Sequence, residues 1–328
     1  MRFLTRLLAC VFVASGIGSA FAQTYPDRPV RIILAIAPGS VSDVIMRAAA
    51  AELSSRMGQQ FIVDNRGGAS GIPAAQACAQ APPDGYTICG FSHAAQVFNP
   101  LIFNKLPYDP DKDFALISRL YFLIEALAVN PGLNVNSVAE LMQLVKSKPS
   151  ALNYGTLGPG SPPELFLKWL NNQWSASIVG IPYRGGGPIA QALAAGDIQI
   201  GNMGLGNFLG LAQAGKLKLL AVASSQRSSL VPDVPTYTEA GIGRYTWHGW
   251  WGLVAPAKTP RPIVDRLNAE VVKLHRDPAF VAFLHKQSVA AAPTSVEEYA
   301  AFIQKDRETA ATLIKLANTP RQDFKPEK

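Results

Sequence analysis

Apolar residues follow two alternating patterns along this chain. Short continuous runs rich in valine and isoleucine are typical of buried strands, whereas apolar residues spaced three or four positions apart are typical of helices. Val30–Ile36 is a run of the first kind, and the second pattern follows it as far as Met57, with Ile45, Ala49 and Leu53 on one face. Repeated alternation of the two patterns predicts an α/β fold, in which helices cover both faces of mainly parallel sheets.

The same two patterns recur along the rest of the chain. Further strands are predicted at Phe61–Val63, Tyr86–Phe91, Leu152–Tyr154, Ile178–Ile181 and Leu217–Ala223. Further helices are predicted at Ile72–Gln80, Val138–Lys146, Glu164–Leu170, Pro188–Ala195, Ile263–His275 and Val296–Ala317.

Two further apolar runs, Leu120–Val129 and Trp247–Val254, are suited to strands that cross between domains. A chain of 328 residues has room for two domains. We therefore expect a discontinuous first domain of residues 23–122 and 249–328, with a second domain of residues 123–248 inserted into it.

The first 22 residues have the pattern of a signal peptide. Arg2 and Arg6 precede an apolar run, after which Ala20-Phe21-Ala22 offers small residues at both positions that signal peptidase recognises. An earlier Leu-Leu-Ala-Cys sequence has the form of a lipoprotein cleavage box, but almost no apolar run precedes its Cys10. We therefore expect cleavage after Ala22 and a soluble protein exported to the periplasm.

Composition and charge narrow the classes of function. Hydrophobic residues make up 48% of the chain and charged residues 16%, which indicates a globular protein with a large core. The net charge of +7 falls to +5 without Arg2 and Arg6, and the basic residues are scattered, so no nucleic-acid partner is expected. A mildly positive surface does favour anionic ligands.

Two cysteines, Cys78 and Cys89, remain after removal of the signal peptide. They can form a disulfide in an oxidising compartment. Cys78 also lies in an alanine-rich helical stretch, where it fits as a small buried residue. The sequence leaves both interpretations open because a disulfide requires a particular geometry.

The sequence contains none of the common catalytic or metal-binding motifs. His-Glu-x-x-His, Gly-x-Ser-x-Gly, a Walker loop and Cys-x-x-Cys are all absent. The four histidines have no paired ligand spacing, so neither a metal nor a cofactor is expected. His93 and His248 suit a cleft wall as well as a packed interior, whereas His275 and His285 are expected to be solvated. These observations favour a protein without enzymatic activity.

Four predicted strands end in small and hydroxyl-bearing residues, in the sequences APGSVSD, GFSHAAQ, YGTLGPGSP and IGNMGLGN. Ligands of open α/β sheets bind beyond the carboxyl ends of the strands, where helix N-termini present unpaired N–H groups and about half a positive charge. Such loops favour a carboxylate or phosphate. The candidate ligand-binding residues are therefore Gly39, Ser40, Val41, Ser42, Asp43, Ser92, His93, Thr156, Gly158, Gly160, Ser161, Met203 and Gly204.

Each of these loops is also compatible with an ordinary connection between a strand and a helix. Ser42 or Asp43 fits equally as a cap of the helix that it precedes. Four such loops, from both predicted domains and without catalytic motifs, favour a ligand-binding cleft.

Segments along nearly the whole mature chain support a resemblance to a known family. They are YPDRPVRIILAIAPGSVSD, FIVDNRGGASG, APPDGYTI, LPYDPDKDFALISRL, LNYGTLGPGS, IPYRGGGPIAQALAAGDI, AGKLKLLAVASSQRSSLVPDVPTYTEAG and GLVAPAKTPRPIVDRLNAEV. These segments are similar to those of the Bug, or TctC-like, family, the extracytoplasmic solute-binding components of tripartite tricarboxylate transporters. The resemblance implies two α/β domains joined by two crossing strands, which close on a ligand like a flytrap. It also implies a small carboxylate as the ligand and integral-membrane transporter subunits as partners. We expect the protein to be a monomer and to need no cofactor.

The sequence departs from the family pattern in three places. Ser40 replaces a glycine in the first loop, which adds a hydroxyl. Pro162-Pro163-Glu164 stands where the family often has Ser-Ser-His, so contacts from that histidine do not carry over. Asn202-Met203-Gly204-Leu205 replaces Phe-Asp-Asn-Leu, and the loss of the acidic residue predicts a different ligand.

Two other functions are compatible with parts of the sequence. A periplasmic protein that signals to a membrane sensor would share every feature used here. An exported serine hydrolase would use Ser42 or Ser92 with His93, but a serine nucleophile also needs a positioned base and oxyanion donors.

The chemical class of the carboxylate stays open between aliphatic di- or tricarboxylates and an aromatic acid. Aromatic residues occur in the predicted crossing strands and after the third strand, where they are suited to stacking on a planar ligand. Buried strands are rich in aromatic residues in any case. The residues concerned are Phe91, Tyr121, Phe122, Trp247, Trp250 and Trp251, together with His93.

Overall fold

The computed structural model describes residues 25–147, 152–242 and 248–324. The predicted signal peptide and Trp247 lie outside these ranges. Within them, none of the helices combines the length and apolar character needed to span a bilayer.

Strands and helices alternate as the sequence predicts. The strands are β1 (Val30–Leu34), β2 (Phe61–Asn65), β3 (Thr87–Ser92), β4 (Phe114–Leu123), β5 (Glu125–Val129), β6 (Asn153–Thr156), β7 (Val179–Pro182), β8 (Ile200–Gly204), β9 (Lys218–Ala223), β10 (Trp250–Pro256) and β11 (Val289–Ala291). The helices are α1 (Val41–Met57), α2 (Ile72–Ala79), α3 (Asn99–Ile102), α4 (Val138–Ser147), α5 (Pro162–Trp174), α6 (Gly186–Ala195), α7 (Leu209–Gln213), α8 (Arg261–His275), α9 (Pro278–Lys286) and α10 (Val296–Leu316). A π-helical turn spans Ala94–Phe98.

The strands form two mixed sheets, which confirms the predicted α/β class. The first sheet has the order β11-β4-β10-β3-β1-β2, with β1 parallel to both β2 and β3. The second has the order β7-β6-β8-β5-β9, with β6 parallel to both β7 and β8. The remaining pairs are antiparallel: β10 with β3 and β4, β11 with β4, and β5 with β8 and β9. We call the first sheet with its helices the first lobe and the second sheet with its helices the second lobe.

The chain passes between the lobes at Ile124, where the predicted strand Leu120–Val129 is two strands. The amide of Ile124 donates to the carbonyl of Ser288 in the first lobe, at 3.4 Å. Its carbonyl accepts from the amide of Leu205 in the second lobe, at 2.7 Å. This residue therefore belongs to neither ladder, and the chain bends there.

The return to the first lobe follows β9 and leads into β10. The predicted return strand, Trp247–Val254, is observed as Trp250–Pro256 and pairs within the first sheet, with β3 and β4. The connection runs through residues 224–249, and part of it lies outside the described ranges. The assignment of the two lobes to independently folding domains stays a prediction.

Cys78 and Cys89 form a disulfide between α2 and β3. Both residues are fully buried in the same apolar cluster, beside Ile33 and Phe91. The sequence left open whether these cysteines form a disulfide or are separate buried thiols, and in the structure they form the disulfide.

His275 was expected in solvent, and this expectation is wrong. It is 2% exposed, because the unpredicted helix α9 packs Phe280 against its ring with a centroid separation of 5.1 Å. Its Nδ1 lies 2.9 Å from the carbonyl oxygen of Val271, and burial lowers its pKa to about 4. His285 is exposed, as expected.

Candidate ligand-binding site

A cleft lies between the lobes, beyond the carboxyl ends of the strands β1, β3, β6 and β8. Both lobes contribute to its walls, as expected for the edge at which parallel strands end and helices begin. Its lining includes Ser40, Val41, Ser42, Ser92, His93, Leu123, Glu125, Ser161, Tyr183, Arg184, Asn202, Met203, Gly204, Asn207, Ala223, Tyr237 and Trp251.

The sequence-predicted ligand residues divide into two sets. Those that line the cleft are Ser40, Val41, Ser42, Ser92, His93, Ser161, Met203 and Gly204. Those that lie behind the lining are Gly39, Asp43, Thr156, Gly158 and Gly160. The second set shapes the loops through hydrogen bonds; the amide of Gly158, for example, donates to Oγ1 of Thr156 at 3.3 Å.

The loop before α1 is held by Asp43, which is 3% exposed. Its Oδ2 accepts from the amide of Gly39 at 2.9 Å, and its Oδ1 accepts from Nδ2 of Asn65 at 2.8 Å. Arg47 forms an ion pair with the same carboxylate. Burial opposes ionisation, but these hydrogen bonds and the Arg47 charge outweigh it and lower the pKa of Asp43. The carboxylate is therefore already satisfied by protein donors and fixes the loop.

The loop before α5 in the other lobe repeats this design. Glu164 Oε2 accepts from the amide of Gly160, four residues earlier, at 2.5 Å. Gly39 and Gly160 have φ values of 78° and 77°, which favour glycine. A serine follows each of them, Ser40 or Ser161, at the N-cap position, and neither side chain makes a capping hydrogen bond.

Both cleft walls thus present a helix N-terminus with a serine hydroxyl that the helix does not use. The hydroxyl of Ser161 accepts a long hydrogen bond from the amide of Leu157, at 3.3 Å, and that of Ser40 accepts one from Gly187 at 3.4 Å. The dipole of a helix stabilises negative charge at its start. At α5 the hydroxyl of Ser161 is the donor there, because Pro162 and Pro163 have no N–H. The arrangement is suited to an anion between the lobes.

His93 and Ser92 are poorly arranged for catalysis. His93 Nδ1 lies 3.3 Å from the backbone oxygen and nitrogen of Trp250, and burial lowers the pKa of His93 to about 3. The hydroxyl of Ser92 accepts from the amide of Ala94 at 3.4 Å. A general base works best with a pKa near the operating pH, so His93 is weakly suited to activate Ser42 or Ser92. In the described part of the chain, no group of His, Cys, Asp and Glu residues is arranged to hold a metal ion.

Several lining residues were missed by sequence reasoning. Asn207 Oδ1 accepts from the amide of Val41 at 3.0 Å, and its Nδ2 donates to the carbonyl of Gly204 at 3.0 Å. The hydroxyl of Tyr237 donates to Oδ1 of Asn202. Asn207 and Tyr237 lie far from Ser40 in sequence, and only the tertiary fold brings them to the cleft.

Glu125 is the missed residue with the clearest sequence signature. It is the one charged residue within the apolar run Leu120–Val129, and a charge in such a run is uncommon unless it is paired or functional. It begins β5, opposite Gly204 and Ala223, and burial raises its pKa to about 7. The cleft therefore keeps an acidic residue, although the one expected near Met203 is absent.

Most of the aromatic residues considered for stacking belong to the core. Trp250, Tyr121 and Phe91 are fully buried. Trp250 packs against Phe302 with a centroid separation of 5.4 Å and donates from its indole nitrogen to Asp306. Trp251 does line the cleft, as do Tyr183 and Tyr237. Aromatic rings that could stack on a planar ligand are therefore present in the cleft. Of the three, Trp251 was expected from the sequence, and Tyr183 and Tyr237 were not.

The lobes touch each other on both sides of the cleft. The amide of Ala37 donates to the carbonyl of Arg184 at 3.1 Å, and the hydroxyl of Ser70 donates to the carbonyl of Pro159 at 2.8 Å. The bond between Val41 and Asn207 also joins the two lobes. The structure is therefore a closed arrangement.

Comparison with known proteins assigns the chain to a family. The family described as tripartite tricarboxylate transporter family receptor, or TctC, matches residues 45–319. This chain belongs to the TctC family. A UPF0065 protein of Bordetella pertussis is 32% identical to it over 311 residues, which cover 95% of this chain and 96% of the relative. TctC proteins are solute-binding proteins, and their solved structures include periplasmic binding proteins.

Two solved structures similar to this TctC chain contain carboxylates. A Rhodopseudomonas palustris protein with adipate is 28% identical, has a TM-score of 0.87, and covers 91% of this chain and 100% of its own. MatC from Rhodopseudomonas palustris, with bound malate, is 29% identical, has a TM-score of 0.83, and covers 88% of this chain and 100% of its own.

Proposed function

We propose that this protein captures a small organic carboxylate in the periplasm and delivers it to the membrane subunits of a tripartite tricarboxylate-type transporter. The observation that carries the proposal is the pair of loops Gly39–Asp43 and Gly160–Glu164. Each loop places a helix N-terminus at the cleft. Its N-cap serine, Ser40 or Ser161, lines the cleft and makes no capping hydrogen bond. Adipate and malate in two similar structures support a carboxylate as the ligand.

Location in the periplasm is supported by two independent features. The first 22 residues have the pattern of a cleavable signal peptide. The disulfide between Cys78 and Cys89 is of a kind that persists in oxidising compartments and is rare in the cytosol.

Binding in this account involves no covalent step, metal or cofactor. The anion is held by the hydroxyls of Ser40 and Ser161 and by the two helix dipoles, which belong to different lobes, so it favours the closed arrangement. Residues 23–122 and 249–328 would then move as one domain and residues 123–248 as the other, about the bend at Ile124 and the connection before Trp250.

A thermal-shift screen tests the binding step. A ligand present at 100 times its dissociation constant stabilises a protein by about 2.7 kcal/mol, so a true ligand raises the melting temperature measurably. The panel contains citrate, succinate, malate, glutarate, adipate, benzoate and phthalate, with phosphate esters as an anionic control. We expect at least one carboxylate to stabilise the protein, and stabilisation by phosphate esters alone would contradict the proposal.

The delivery step is tested in cells. Deletion of the gene should abolish uptake of the radiolabelled carboxylate that the screen identifies. Uptake should return with the wild-type protein but not with a variant that has lost binding. Normal uptake in the deletion strain, with loss of a transcriptional response to the hit, would instead indicate a protein that signals to a membrane sensor.

A further inference from the structure

We propose that Glu125 selects a carboxylate that also carries a protonated amine, in preference to a plain dicarboxylate. This inference rests on the proposed function, because it assumes that a carboxylate of the ligand is bound at the helix N-termini. It assigns the other end of the ligand to a specific acidic side chain in the same cleft.

The position of Glu125 places its carboxylate on the cleft wall. Glu125 starts β5, directly after the bend at Ile124, and its lining neighbours Leu123, Gly204 and Ala223 are apolar or glycine. A Cβ added at Gly249 would come within 2.5 Å of Glu125 Oε1, so the absence of a side chain there leaves room for the carboxylate.

The side-chain carboxylate of Glu125 forms no ion pair or hydrogen bond with any other residue in the described ranges, and its backbone pairs with the neighbouring strands. Acidic side chains elsewhere in the cleft region are already used, since Asp43 accepts from Gly39 and Asn65, and Glu164 accepts from Gly160. Enclosure without a protein partner is costly for a carboxylate, and burial raises the pKa of Glu125 to about 7. A donor from the ligand would supply the missing interaction.

The charges along the cleft favour a cationic donor over a second anion. Among the described residues, the ionisable side chains of its lining are Glu125, Arg184, His93, Tyr183 and Tyr237. Arg184 is exposed, and the low pKa of His93 keeps its ring neutral. A second ligand carboxylate near Glu125 would therefore face a like charge, and the described residues of the lining include no buried cation to offset it. An ammonium group would form a charge-assisted hydrogen bond instead.

The test compares matched ligands that differ only at the distal group. We would measure dissociation constants by calorimetry at pH 8 for ω-amino acids of three to six carbons, and for the diacids in which a carboxylate replaces the amine. Wild-type protein is compared with Glu125→Gln, which keeps the shape of the side chain and removes its charge. Glu308→Gln, at an exposed position on α10, is the control.

The net free energy of a hydrogen bond to a charged group corresponds to a roughly 10- to 100-fold change in affinity. We expect wild-type protein and the Glu308→Gln control to prefer an ω-amino acid over its matched diacid by at least tenfold. Glu125→Gln should lower that preference at least tenfold, with an unchanged melting profile at pH 5 as evidence of folding.

The outcomes separate this inference from the proposed function. Suppose that diacids or monocarboxylates bind, and that the ratio of affinities for the ω-amino acid and its matched diacid is the same in wild-type and Glu125→Gln protein. The inference about Glu125 is then overturned, and the proposed capture of a carboxylate stands. If no compound with a carboxylate binds to wild-type protein, both are overturned.

Discussion

At the scale of single residues, the loops Gly39–Asp43 and Gly160–Glu164 show what a sequence can reveal of this site. Strands that end in glycine and serine before a helix indicate an anion site, and Ser40 and Ser161 do line the cleft. The sequence could not separate ligand-facing groups from those that hold the loop, because Asp43 fits a ligand contact and a cap equally well. Its hydrogen bonds to Gly39 and Asn65 depend on tertiary structure.

Removal of the two hydroxyls at the start of α1 should weaken binding and leave stability nearly unchanged. Ser40 makes no capping hydrogen bond, so the Ser40→Ala, Ser42→Ala double variant loses donors to the ligand and no cap. Each hydrogen bond to a charged group contributes about 1.5–3 kcal/mol. Calorimetry with the best carboxylate should show at least a tenfold loss of affinity. The control is the double alanine variant at Ser55 and Ser225, which are exposed. A fall in melting temperature with intact affinity would show that the serines are structural.

Glu125 gives the protein a pH dependence with a definite sign. Its pKa is about 7 in the folded protein, above the ordinary value of 4.5, so the folded state binds more protons between these values. The stability associated with this group is fully present below about pH 4.5 and is lost as pH rises through 7. His248 hydrogen-bonds the backbone of the neighbouring Ala223, and burial lowers the pKa of His248 below its ordinary value.

Glu125→Gln should therefore stabilise the ligand-free protein at pH 8, by about 1–3 kcal/mol, and have little effect at pH 4.5. Scanning calorimetry at the two pH values measures the difference. An equal effect of the substitution at both pH values would show that the side chain does not titrate in this way.

At the scale of elements, the spacing of apolar residues predicted the longer strands and helices. All predicted strands and helices have a counterpart, with ends that differ by a few residues. The bend at Ile124 was not predicted, because a mainly apolar run looks the same whether it continues one ladder or enters a second. Helix α9 was missed as a short segment, and with it the burial of His275.

The disulfide between α2 and β3 is the covalent link between elements in the first lobe. Its cysteines are 11 residues apart, and closure of a loop of that length stabilises the folded state by roughly 2–3 kcal/mol in the chain-entropy account. Replacement of Cys78 and Cys89 by alanine should lower the melting temperature by several degrees, and reductant should do the same to wild-type protein only. Carboxylate affinity should persist at 20 °C, since neither cysteine lines the cleft. A reductant effect of equal size on the double variant would contradict this assignment.

At the scale of the whole molecule, contacts between the lobes favour closure around a bound anion. The bond from the Val41 amide to Asn207 joins the start of α1 to the second lobe, and that from Ala37 to Arg184 lies nearby. The sequence indicated two lobes and a cleft but could not supply these contacts, because they join residues far apart in the chain.

Asn207→Ala should therefore shift the ligand-free protein toward an open form. Small-angle scattering should give this variant a larger radius of gyration than wild-type protein, and saturating carboxylate should reduce the radius in both. The affinity of the variant should fall, because closure then costs more of the binding free energy. A radius that is the same with and without saturating ligand in wild-type protein would contradict hinge closure.

The central claim is that the cleft recognises the negative charge of a carboxylate ligand. The most direct test is calorimetric titration of wild-type protein with the best carboxylate ligand and with the primary amide that replaces that carboxyl group. The amide has nearly the same shape but no charge, and the helix N-termini stabilise charge. We predict that the acid binds and that the amide binds at least 100-fold more weakly. Equal affinities for acid and amide would contradict the account.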